Sequence, residues 1–203
     1  GETGGIYRTH PELRDVKAHL TQPANKHAII ARALLRLYRI TGDPAYMTRA
    51  VKLGTRFKHT LTLRDGHYEW NYWDPAGAWD VHPGNKGRWK HWIGREHRGG
   101  YYAHSAGLAV ALYQHGVVFG REDIDRFLRT QMEMCWNGDP ENPAFYRVDR
   151  SSGKKSGDYL ASSLAPFSEE LWRFLYEGKR RDARVAAAGH GWQGGPVASG
   201  WLE

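Results

Sequence analysis

Residues 25–61, NKHAIIARALLRLYRITGDPAYMTRAVKLGTRFKHTL, decide the fold class. Ile29, Ile30, Ala33, Leu34 and Leu37 recur at intervals that place apolar side chains on one face of an α-helix. Gly42 then ends the helix, because glycine adopts the left-handed conformation that closes a last turn. Asp43 offers a carboxylate to the free N–H groups of a new helix, and Pro44 suits its first position, which needs no donor. Met47, Ala50, Leu53, Phe57 and Leu61 line that second helix, over roughly 44–62. So short a turn makes the two helices antiparallel neighbours.

The pattern returns twice. YYAHSAGLAVALYQHG (101–116) reads as a helix stopped by Gly116. REDIDRFLRTQMEMCW (121–136) follows, acidic at its start, with Ile124, Phe127, Leu128, Gln131 and Cys135 on one face. A third pair is DYLASSLAPFSEELWRFLYEG (158–178), in which Pro166 kinks or restarts the helix, and KRRDARVAAAG (179–189). The strand period is nowhere sustained, apart from short pieces near GHYEW and FYRVD. Turns inside the pairs are short, whereas the connections 63–100 and 137–157 are long, which puts the long loops at one end of the array. The expected fold is all-α: antiparallel helical hairpins forming a small or incomplete α/α toroid with long rim loops. Residues 1–5 (GETGG) read as a vector-derived tail and 6–203 as one domain of about three hairpins. After Ala188 the helical period is lost, and Trp192 and Trp201 anchor a Gly-rich end, so a shortened ring is expected.

Charge narrows the partners. The net charge is +7, which favours an anionic ligand. No apolar run approaches the ~20 residues of a membrane span, and no signal-peptide pattern is visible. No helix-turn-helix, RNA-binding sheet motif or zinc finger is present, which leaves nucleic acid a minority reading. The single cysteine, Cys135, lies in an apolar helical stripe and reads as a core thiol.

The first long connection contains YEWNYWDPAGAWDVHPGNKGRWKHW (68–92), with five of the nine tryptophans. Rings in a loop either plug a core or wall a site. Trp70, Tyr72 and Trp73, in a short extended piece, are expected to face a ligand. Trp79, Trp89 and Trp92 are expected to pack on helix ends.

ALLRLYRITGDPAYMTRAVKLGTRF, and GREHRGGYYAHSAGLAVALYQHGVVFGREDIDRFLRTQMEMCWNGD after it, resemble the hairpins of α/α-toroid carbohydrate enzymes: uronate-polymer lyases, six-hairpin glycosidases and uronyl epimerases. The likeness covers most of 26–177, with fewer hairpins than such toroids usually have. It implies an extracytoplasmic enzyme cleaving an acidic, uronic-acid-containing polysaccharide by β-elimination. In the lyases of that group a Tyr and a His commonly share acid and base, and Asn, Arg or His meets the carboxylate. Carried onto this chain, the catalytic candidates are His104, Tyr101, Tyr102, His97 and Tyr72. His104 is favoured as base or carboxylate partner, because the positive end of a helix lowers an imidazole's pKa. The substrate-binding candidates are Asn71, Arg95, Trp70, Trp73, Tyr146 and Arg147.

Other readings stay open. A hydrolase needs two carboxyl groups, for which Glu69, Asp74, Asp80 and Glu96 are available. A non-catalytic module could bind glycan or protein through the aromatic loop. His82, His91, His97 and His104 lack tight metal-ligand spacing, so no metal site is assigned; a divalent ion is compatible and not required. A second copy completing the ring would make a homo-oligomer.

Overall fold

The computed structural model describes residues 4–12, 17–97, 99–152 and 160–176. About half of these residues are helical, and the strands among them form one two-stranded sheet. The domain is therefore mainly helical. Helix α1 (Ala24–Thr41) and helix α2 (Pro44–Thr60) form the expected hairpin. Gly42, at φ 71°, closes α1 by donating to the Tyr38 carbonyl at 2.8 Å. The Asp43 carboxylate caps α2 by accepting from the Ala45 N–H at 2.8 Å.

Helix α3 (Gly100–Gln114) packs on both, and helix α4 (Arg121–Arg129) packs on α3. A Cβ built on Gly54 would lie 2.1 Å from Leu112 Cδ1, so α2 and α3 meet closely enough that any larger residue would displace the Leu112 side chain. The apolar face expected for 121–136 is buried, although the chain widens to a π-helical turn over Thr130–Cys135. Pro166 lies inside a short 3-10 turn, Ser162–Phe167, so the helix expected over 158–178 is broken and only helix α5 (Glu169–Tyr176) follows. Cys135 is buried, which pushes its thiol pKa up and agrees with a core role. The helix expected at 179–189 and the end bearing Trp192 and Trp201 lie outside the described residues.

One face is rotated relative to the expectation. Helix α1 buries Ala28, Ala31, Leu34 and Leu35, while Ile29, Ala33 and Leu37 face outward. The spacing permits both faces. The buried face is the one bearing the small residues Ala28 and Ala31, and α3, whose Ala106 and Ala109 are also buried, packs against α1.

The first long connection is folded rather than loose. Strands β1 (Thr62–Arg64) and β2 (His67–Glu69) pair antiparallel across Asp65 and Gly66, both at positive φ. Residues 70–72 then run beside 94–96: the Tyr72 N–H donates to Gly94 O at 2.9 Å and the Glu96 N–H to Trp70 O at 2.9 Å. In the second connection, Trp136 bridges Phe145 and buries it.

Candidate functional site

The aromatic connection buries two of its tryptophans and leaves three exposed. Trp70 is 0% exposed, stacked on Tyr102 with ring centroids 5.6 Å apart and set edge-on to Phe57 and Phe127. Its Nε1 donates to Glu96 at 3.3 Å. Trp73 is also fully buried, donating to Thr21 O at 2.8 Å. Both were expected to face a ligand, and both are instead plugs, because each buried indole N–H finds an acceptor inside. Trp79, Trp89 and Trp92, expected to pack on helix ends, are the exposed ones.

Asp80 makes that arrangement possible. It is fully buried and accepts from the Thr21 N–H (2.8 Å), the Thr21 hydroxyl (2.7 Å) and the Ala76 N–H (2.8 Å). The Trp79 indole donates to the same Thr21 hydroxyl at 3.0 Å. From this knot the chain turns out and back, with the Val81 and Trp89 backbones bridged and the His82 N–H donating to Arg88 O at 2.8 Å. The excursion forms one wall of an open groove of about 540 Å3, lined by His82, Asn85, Arg88, Trp89, Lys90, His91, Trp92 and Ile93. Ring faces with basic groups around them suit an anionic ligand that has a flat apolar face.

At one end of this wall the rings gather. Tyr72 lies 5.7 Å from His91, 5.4 Å from His97 and 5.3 Å from Tyr101, centroid to centroid. His97 also meets Trp92 at 5.4 Å and Tyr101 at 5.9 Å. Tyr101 is 47% exposed, so its hydroxyl-bearing ring is open to a ligand. The Arg147 guanidinium carbon sits 5.4 Å from the Trp92 ring centroid, and Arg147 Nε is buried without an acceptor among the described residues. Of the residues named from sequence, Tyr72, His97 and Tyr101 thus stand in mutual ring contact, and Arg147 reaches His97's neighbour Trp92.

Glu96 lies beneath. It is fully buried and accepts from the His97 N–H at 2.7 Å, the Trp70 indole and the Ser105 hydroxyl at 3.4 Å. Burial pushes its pKa up to about 7 against those three donors. The Tyr72 phenol is held above its ordinary value, first by burial and then by Tyr101 and Glu96, so it retains its proton.

The other sequence candidates are placed elsewhere. Tyr102 is a core ring whose hydroxyl donates to Phe127 O at 3.3 Å, and burial raises its pKa well above normal. His104 is half-buried, and burial, with Arg32 nearby, lowers its pKa. None of the ring contacts of the Tyr72 cluster involves it. Arg95 pairs with Glu69 at 2.9 Å and faces Asp149 at 3.9 Å. The Asn71 amide donates to Asp74 at 2.8 Å. Tyr146 lies under Arg150, whose guanidinium carbon is 4.9 Å from the ring.

Sequence reasoning missed Trp89, Trp92 and His91 as groove residues and Glu96 as the carboxyl beneath the cluster. The clue was present in KGRWKHW, where basic residues alternate with rings that have no helical period to bury them. Among the described residues no group of three His, Cys, Asp or Glu could hold a metal ion. None of their helices is long and apolar enough to cross a membrane. No family model matches the chain, and no curated protein or solved structure proved similar to it.

Proposed function

We propose that the protein is an extracytoplasmic polysaccharide lyase, a shortened relative of the α/α-toroid enzymes, that cleaves a uronic-acid-containing polymer by β-elimination. The observation that carries this reading is the convergence of Tyr72, His97, Tyr101 and Arg147 at the end of the basic, tryptophan-walled groove. The ring of an acidic sugar stacks on Trp92 or Trp89, and Arg147, whose guanidinium lies over Trp92, meets its carboxylate. That pairing acidifies the proton on the carbon beside the carboxylate. His97 removes this proton, and the electron pair forms the carbon–carbon double bond as the glycosidic carbon–oxygen bond breaks. Tyr101 protonates the departing oxygen. Tyr72 keeps its proton and orders the two reacting rings.

The hydrolytic alternative fits less well. Glu69, Asp80 and Glu96 are buried, and Asp74 is engaged by Asn71. The test is a screen of alginate, glucuronan, pectate and glycosaminoglycans for the near-ultraviolet absorbance of an unsaturated product. Tyr101→Phe should lower turnover about a hundredfold without changing the melting temperature. New reducing ends without absorbance would mean a hydrolase, and binding without any cleavage would mean a glycan-binding module; either outcome sinks the lyase reading.

A further inference from the structure

The outer face of α1 is not composed as a solvated face. Ile29, Ala33, Leu37 and Ile40 succeed one another at steps of four, four and three residues, and all are exposed, Ile40 by 80%. At 1.5 Å per residue they form a ridge about 17 Å long. Ala28, Ala31 and Leu35 occupy the opposite, buried side. Arg32, Arg36 and Arg39 climb one edge of the ridge at the same spacing, and Lys26 stands in line with it at its N-terminal end. Helix α1 contains no Asp or Glu. Arg32 is drawn partly inward, toward Gly107 of α3.

A contiguous apolar ridge on a soluble surface marks a contact, and its flanks state the sign of the partner. We propose that the outer face of α1 docks an acidic amphipathic helix of another protein, whose apolar side chains pack on Ile29, Leu37 and Ile40 while its carboxylates pair with Arg36 and Arg39. A second copy of this chain does not fit, because two such faces would oppose arginine to arginine. An anionic bilayer fits less well than a helix. The ridge is aliphatic and one residue wide, α1 is held from behind by α2 and α3, and its one tyrosine, Tyr38, is turned to His115 at 6.2 Å. Helices that lie in a membrane interface carry wider apolar faces with tryptophan or phenylalanine.

The whole protein is titrated into a fluorescently labelled helical peptide of repeating leucine and glutamate, and into its twin with lysine for glutamate. Anisotropy should show saturable binding of the glutamate peptide and binding about tenfold weaker, or none, for the lysine twin. The double variant Leu37→Ser, Ile40→Ser and the single variant Arg36→Glu should each weaken the glutamate peptide about tenfold and leave the melting curve unchanged, since these side chains are exposed. Trp89→Ala, in the groove, should bind the peptide as the parent does, which separates this surface from the proposed lyase site. Equal affinity for both peptides, or none for either, would overturn the proposal. So would co-sedimentation with phosphatidylserine vesicles, or a concentration-dependent dimer, if the same substitutions abolished it.

Discussion

Trp70 and Trp89 lie in one connection and have the same side chain, yet the fold uses them oppositely. Trp70 is wrapped by Phe57, Tyr102 and Phe127 and spends its N–H on Glu96; Trp89 stands 46% exposed on the wall of the groove. The difference does not come from hydrophobicity, which is identical. It comes from where each ring is carried once the backbone is tied down at 70–72 beside 94–96 and at Asp80. A loop can thus be half core and half groove wall, and the junction between the halves is a buried carboxylate.

The comparison predicts a steep asymmetry. Trp70→Ala should cost about 3–5 kcal/mol, the range for emptying a fully packed aromatic site, as read by urea denaturation. A loss below about 1 kcal/mol would mean that the ring is not the plug its burial makes it. Asp80→Ala should cost about 2–4 kcal/mol, because it strands the Thr21 and Ala76 donors in the interior. Faster hydrogen exchange at the Thr21 amide should accompany that loss, and unchanged exchange would remove Asp80 as the anchor.

Glu96→Gln tests the carboxyl under the cluster through pH. The Glu96 pKa of about 7 lies above the ordinary 4.5, so the folded state holds the proton more tightly, and this residue's stabilisation is lost as pH rises from about 4.5 to about 7. Burial lowers His27, whose Nε2 accepts from the Tyr7 N–H at 2.9 Å, from 6.5 to about 4. It works in the opposite sense: its contribution is present above about 6.5 and is lost as pH falls toward about 4. The two slopes oppose each other in the parent. The Gln variant should therefore expose the His27 slope, its stability rising with pH by on the order of 2–3 kcal/mol between about pH 4.5 and 6.5. Parallel curves for parent and variant would show that Glu96 does not titrate in this range.

The smallest effect on stability belongs to Trp89→Ala, within about 0.5 kcal/mol, as for an exposed side chain away from core contacts. The same change should weaken binding of an acidic polysaccharide about tenfold, read by calorimetry. A Trp89 variant that melted like the Trp70 variant would erase the difference between the two rings.

Much of the fold was legible in residues 25–61 because helix stops, caps and periodic apolar positions are local. Gly42, Asp43 and Pro44 do what their chemistry requires wherever the helices pack. The inward face of α1 was not legible, because Ile29–Ala33–Leu37 and Ala28–Ala31–Leu35 both satisfy a helical period, and the choice depends on how closely α3 approaches. The site was legible in part. Tyr72, His97 and Tyr101 were named from sequence and stand together, since a chain rich in Gly and Pro between two helices must fold back near the second helix's start. His104 was placed near them by counting along α3, yet its surroundings include Arg32 of α1.

By itself the sequence determined the α1–α2 hairpin with its caps, the presence of α3 and α4, the basic charge and a ring-rich connection, all set by near neighbours and composition. Only the tertiary structure decided which tryptophans became core, which carboxyl was left buried near neutrality and which side of α1 stayed outside. Those outcomes depend on hydrogen-bond partners many residues apart, such as Thr21 and Asp80 or Trp70 and Glu96, which no local pattern encodes.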